Sequence, residues 1–176
     1  KNNFFLIAIF IIIVVKRNMK INFIAPLKPV KIPERIIYGN GSNFKMADTR
    51  TGDYLGRMKA VPMLLKTSPF YKNKKPIMSL YINDLWIMPF ARRKKAGSDF
   101  VKFAKYLSRK NNCEGRVYTL AYNYDNPGKA PHKFWRKMGF ATSSPEENKI
   151  LDFVIENNIE VPPDMCQGTV MFLEKY

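Results

Sequence analysis

Four cationic side chains in a row, Arg92-Arg93-Lys94-Lys95, stand directly before Ala96-Gly97-Ser98 and a run of helical character from Asp99 to Lys110. A helix start exposes backbone amides that have no intrahelical acceptor, together with the positive end of the helix dipole. Cations at the same point make an anion seat, most simply for phosphate. The same residues also suit a solvated basic loop capping an ordinary helix, and composition alone leaves both readings open.

Upstream, Ser79 to Pro89 reads as a strand that delivers the chain to this turn. Leu80 and Ile82 share one face, yet the next apolar pair, Leu85 and Ile87, falls on odd positions, so the alternation slips by one residue near Asn83 and Asp84. Such a slip predicts a β-bulge. Pro89 ends the strand because it has no N–H to give a ladder. Ser98 is the expected N-cap of the helix, with Phe100, Val101, Phe103, Ala104 and Leu107 on its apolar face. Arg116 to Asn123 (RVYTLAYN) is a second strand. Strands joined through a helix in this way are expected to lie parallel with a right-handed crossover. A short helix follows, with Pro131 in its first turn and Gly139 at its C′ position.

The run Leu85-Trp86-Ile87-Met88-Pro89, with Arg92 three residues beyond the proline and Gly97 five beyond Arg92, resembles the acyl-CoA signature of the GNAT acyltransferase superfamily. That turn usually reads Gln or Arg, x, x, Gly, x, Gly or Ala. Residues Asn126 to Phe140 (NPGKAPHKFWRKMGF) resemble the second motif of the same family. The resemblance spans Ser79 to Phe140. It implies an α/β (α+β) fold with a mixed, mostly antiparallel sheet, a central splayed parallel strand pair and flanking helices. Two departures stand out. Lys95 takes the place of the family's first glycine, so its φ is expected to stay negative. Trp135 stands where many members carry the tyrosine that protonates the leaving thiolate, and an indole N–H is too weak an acid for that.

The resemblance implies acetyl-CoA as co-substrate, no metal, and direct acyl transfer from the thioester to an amine. The pantetheine arm would pair with the backbone of Leu85, Trp86 and Ile87, near Asn126. The pyrophosphate would rest on amides from Arg93 through Lys94, Lys95, Ala96 and Gly97 to Ser98, with Arg92, Arg93, Lys94 and Lys95 supplying counter-charge. Ile87 offers an amide for the oxyanion and Asp84 a carboxylate base. Tyr124 or Tyr122, or solvent, would return the thiolate's proton. The acceptor amine, on a small molecule or a protein, is unspecified.

The 176 residues suit one domain, and 46% hydrophobic residues supply a core. The 30 Lys and Arg against 14 Asp and Glu give +16, which fits nucleic acid, an anionic membrane surface or an anionic ligand such as CoA. A basic nucleic-acid-binding module is therefore a rival reading, although no nucleic-acid-binding motif is present. A CoA-binding fold without catalysis is another. Residues 1–18 hold twelve consecutive apolar residues, Phe4 to Val15, short of the roughly twenty that span a bilayer. They are expected to lie outside the fold, leaving 19–176 as the acyltransferase domain. Cys113, Cys166 and the lone His132 have no metal-ligand spacing, and the thiols suit a reducing cytoplasm. His132 is expected at the surface.

Elsewhere, Lys20 to Pro33 reads as an extended arm. Phe44 to Arg50 and Tyr54 to Leu64 form a hairpin about Thr51-Gly52-Asp53, and Phe70 and Tyr71 sit in a basic loop. Ser144-Pro145-Glu146-Glu147 is a capping box for a helix to about Asn157, with Ile150, Leu151, Val154 and Phe153 on its core face. Thr169 to Lys175 is the last strand.

Overall fold

A computed structural model describes residues 29–32, 34–65, 76–122 and 131–173. The expected segment 1–18, the loop with Phe70 and Tyr71, and site residues Tyr124 and Asn126 lie outside the described residues. Strands β1 (Val30–Ile32), β2 (Arg35–Asn40), β3 (Asn43–Asp48), β4 (Tyr54–Leu65) and β5 (Ile77–Ile87) form a consecutive antiparallel meander. Helix α1 (Ala96–Lys110) then leads to β6 (Val117–Ala121), which pairs parallel to β5. Helices α2 (His132–Lys137) and α3 (Pro145–Glu156) flank β7 (Phe140–Ala141), and β8 (Thr169–Leu173) closes the chain order. The described strands make one sheet in the order β1-β2-β3-β4-β5-β6-β8-β7. This is the mixed, mostly antiparallel α+β architecture that the resemblance implies.

Period-two alternation places the core on one face. Ile37, Met46, Met58, Leu80, Ile82, Val117 and Met171 all point there and are buried. Against them pack Phe100, Phe103, Ala104 and Leu107 of α1, Trp135 of α2, and Leu151 and Val154 of α3. Each fully buried Phe, Leu or Val contributes on the order of 1.5–3 kcal/mol. The three helices therefore cover the same face.

Five expectations are corrected. The stretch after Pro33 is a strand, β2, and the supposed arm contributes β1, so the sheet is wider than the apolar pattern suggested. Helix α1 begins at Ala96, with Lys95 rather than Ser98 as N-cap. Lys95 has φ +66°, in the left-handed region, not a negative φ. His132 is fully buried rather than on the surface. On α3 the core side is Leu151 and Val154 alone, while Ile150 and Phe153 are 42% and 58% exposed. The cap of α3 follows the sequence: Ser144 Oγ accepts from the Glu147 amide at 3.2 Å.

Candidate active site

The bulge falls where the alternation slips. Lys59 pairs with Asp84 and Ala60 with Ile82, which leaves Asn83 as the extra residue of β5. Before the bulge β5 is laddered to both neighbours; after it, only to β4. Its parallel pairing with β6 is confined to Leu80, Tyr81 and Ile82, and the Thr119 hydroxyl donates to the Ile82 carbonyl at 3.0 Å where that pairing stops. From Asn83 to Ile87 the strand edge facing β6 has no ladder partner among the described residues, and a wedge opens there.

The direction of each amide along that edge follows from the antiparallel alternation. The Met88 amide donates to the Leu55 carbonyl at 3.0 Å, so Met88 and Leu55 form a hydrogen-bonded pair. The next pair, Ile87 with Gly56, is then non-bonded, and Ile87 turns its N–H and C=O away from β4 into the wedge. Arg92 Nε donates to that Ile87 carbonyl at 3.2 Å, as this orientation requires. Leu85 lies two residues earlier and turns its amide the same way. Trp86 spends its backbone on β4 opposite Arg57.

Pro89–Ala91 forms one 3-10 turn, and Arg92 to Lys95 then reverse the chain into α1. Arg93 at φ +61° and Lys95 at φ +66° take left-handed conformations. A left-handed residue followed by a helical one turns successive amides into a common concavity, which suits an anion. Among the described residues no amide from Arg93 to Ser98 donates to a backbone carbonyl; the first to do so is Asp99, to Lys95 at 3.0 Å. The side chains of Arg92, Arg93, Lys94 and Lys95 are exposed, and none pairs with a carboxylate among the described residues. Ala96 is buried, Gly97 and Ser98 are half-buried, and all three stand in the first turn of α1.

Two contacts hold the turn in place, and the sequence pattern signals neither. Arg35 on β2 reaches both the Asp99 carboxylate and the Lys94 carbonyl. Asp99 is 4% exposed and pairs there with Arg35, with Lys102 Nζ at 3.6 Å as a second cation. Gly97 faces α2: a Cβ there would come within 2.9 Å of the Phe134 ring. Glycine lets the start of α1 sit directly against α2.

Asp84 lies on the sheet face opposite the helices, where it accepts from Arg57 Nε at 2.8 Å. Trp135 is 5% exposed and packs at 4.9 Å from Phe134 and 5.0 Å from Phe140, a core position. Tyr122 follows the last residue of β6 and is 51% exposed. Tyr81, which the sequence pattern did not single out, stacks on Tyr118 at 4.9 Å. Burial and the neighbouring Tyr122 raise the Tyr81 phenol above its ordinary value, so it keeps its proton at neutral pH. Among the described residues no group of three or more His, Cys, Asp or Glu could hold a metal ion. No described helix is long and apolar enough to cross a membrane.

No protein-family model matches the chain, and no curated protein does. Solved structures similar to it include a bacterial toxin at 15% identity and TM-score 0.49, covering 74% of this chain and 65% of that one. The chain thus spans just under two thirds of the toxin's length. Nourseothricin acetyltransferase follows at 16% identity and TM-score 0.47, covering 82% of this chain and 67% of that one. The Bacillus subtilis N-acetyltransferase YlbP, in complex with coenzyme A, is similar at 17% identity and TM-score 0.43, covering 74% of this chain and 68% of that one. Judged by its own strand order, its bulged β5 and the single parallel pair that splays beyond Ile82, the described part of the chain has a GNAT-like fold.

Proposed function

We propose that this chain is an acetyl-CoA-dependent N-acyltransferase. One observation carries the reading: the unladdered edge of β5 turns the Ile87 amide into the wedge, six residues before a run of unpartnered amides flanked by four exposed cations. A thioester-bearing nucleotide matches both features at once. Its pyrophosphate would sit on the amides from Arg93 to Ser98, with Arg92, Arg93, Lys94 and Lys95 as counter-charge. Its pantetheine would lie along Leu85 to Ile87 like an added strand. Asn126 would stand near that arm.

The reaction is direct: the amine nitrogen attacks the thioester carbonyl, the C–S bond breaks, and CoA leaves as a thiolate that takes up a proton. Holding amine and thioester together supplies much of the rate, and the Ile87 amide would stabilise the oxyanion. Asp84 would accept the amine's proton, directly or through one water. Tyr124 or Tyr122 would protonate the thiolate. The acceptor is an amine on a small molecule or a protein, and two buried thiols suit a cytoplasmic setting.

The test is acetyl-CoA binding by calorimetry, followed by thioester cleavage over a panel of amines. Asp84→Asn is expected to lower kcat by about a hundredfold while leaving acetyl-CoA affinity unchanged, in the range general-base removal produces. Turnover within a fewfold of the parent would remove Asp84 from the mechanism. Absence of acetyl-CoA binding would remove the mechanism itself.

A further inference from the structure

The three described helices share one sheet face, and the opposite face of β2 to β5 carries an ordered row of side chains. The register aligns Tyr38 with Lys45, Lys45 with Arg57, and Arg57 with Trp86, so the row runs aromatic, cation, cation, aromatic across four adjacent strands. Three inter-strand steps separate its ends, about 14 Å. Tyr38 is 40% exposed and Trp86 36%, and the Arg57 side chain is 60% exposed. Trp86 is held by Tyr54, stacked at 6.3 Å, and by the Arg57 guanidinium, 5.9 Å from its ring centre.

The next row on the same face reads Asn40, Asn43, Lys59, Asp84. Lys45 and Lys59 are exposed and make no ion pair among the described residues. Asp84 is the one carboxylate of the two rows, set against three cations.

We propose that this face binds single-stranded RNA. Every base offers a flat ring to stack on Tyr38 and Trp86, and a span of about 14 Å accommodates two or three bases on a sheet. Lys45, Lys59 and Arg57 lie between and beside the rings, where a backbone joining stacked bases carries its phosphates. A duplex keeps its bases stacked on each other and presents no ring to the sheet. Asn40 and Asn43, exposed at the β2–β3 turn, can exchange hydrogen bonds with a 2′-hydroxyl, which selects RNA over DNA.

The experiment measures fluorescence anisotropy of a labelled single-stranded RNA of about twelve nucleotides with the full chain over a salt series. The single-stranded DNA of the same sequence, the RNA duplex and a polyglutamate peptide serve as competitors. RNA is expected to bind best. Tyr38→Ala is expected to weaken it about tenfold through lost stacking. Lys45→Gln with Lys59→Gln is expected to flatten the salt dependence by roughly 0.7 in log–log slope for each lysine. Lys137→Gln with Lys149→Gln removes the same charge from the helix side and is expected to leave binding unchanged. Equal binding by the parent and both sheet-face variants, or an equal loss in the helix-side variant, overturns the proposal. So does equal affinity for duplex or DNA, and displacement of RNA by polyglutamate would assign the face to an acidic protein. Acetyl-CoA binding, followed in the same variants, is expected to persist. RNA binding lost with acetyl-CoA binding intact, or the reverse, separates this inference from the acyltransferase reading.

Discussion

Lys95 is the position where backbone and charge can be pulled apart. It caps α1 at φ +66° and ψ 0° with its side chain in solvent. A non-glycine residue held there costs about 1–3 kcal/mol, because Cβ crowds the following carbonyl. Glycine removes that cost but brings back about 0.5–1 kcal/mol of unfolded-chain entropy. Lys95→Gly is therefore expected to stabilise the protein by about 1 kcal/mol, a rise of roughly 2–4 °C in Tm for a chain of this size. Lys95→Ala removes the same charge and keeps the left-handed backbone, so its Tm is expected not to rise. Both variants lose one of four cations at the proposed pyrophosphate seat. At low salt both should bind acetyl-CoA about two- to fivefold more weakly, the scale of one exposed charge interaction. Differential scanning calorimetry and titration calorimetry on the two variants side by side give both numbers. If the glycine variant is no more stable than the alanine variant, Lys95 is not in the left-handed region, and the concave row of amides at 93–98 is not shaped as described. If the two differ in stability but acetyl-CoA affinity is untouched in both, the seat does not hold the pyrophosphate.

Two other perturbations read different parts of the molecule. Arg35→Met leaves the Asp99 carboxylate buried with only Lys102 at 3.6 Å, and it frees the Lys94 carbonyl. A loss of about 2–3 kcal/mol is expected, below the full cost of a broken buried pair because the Arg35 side chain is 19% exposed. Urea unfolding with an unchanged m-value checks this, and Asp99→Asn should cost less. His132 is fully buried on α2, and neither ring nitrogen has a hydrogen-bond partner among the described residues. Burial holds its pKa below the ordinary 6.5, partly offset by the nearby Met165 backbone and Glu147. The folded state therefore takes up fewer protons than the unfolded one. Its contribution is complete above 6.5 and lost as pH falls below that value, by at most about 1.4 kcal/mol per pH unit. Asp48 and Asp152, whose pKa values are lowered, are felt only at more acidic pH. His132→Leu should thus flatten the stability profile below about pH 6.5; an unchanged slope there would mean that the ring already has a partner.

The sequence made the bulge legible because a strand with one buried face reports its own register: the shift from Leu80 and Ile82 to Leu85 and Ile87 can be met only by an extra residue, and Asn83 is that residue. The body of α1 was legible for the same reason, since Phe100, Phe103 and Leu107 recur at helical spacing and are buried. Its start was not. Ser98 is the better N-cap by residue type, but the cap lies three residues earlier, at Lys95, where Arg35 ties down the Lys94 carbonyl and Asp99. That partner lies 64 residues before Asp99, and no local pattern points to it. On α3 two stripes compete, Ile150 with Phe153 and Leu151 with Val154, and helical periodicity accepts either. Which stripe is buried depends on where α2 lies, and α2 is too short to show a period of its own. The same limit explains Trp135. Its spacing from Gly139 marks a place in a motif, while Phe134 and Phe140 closing on its ring make it a core residue. Local pattern therefore reads the parts of the candidate site built from a single strand or helix. The parts that set its geometry come from residues brought together by the sheet.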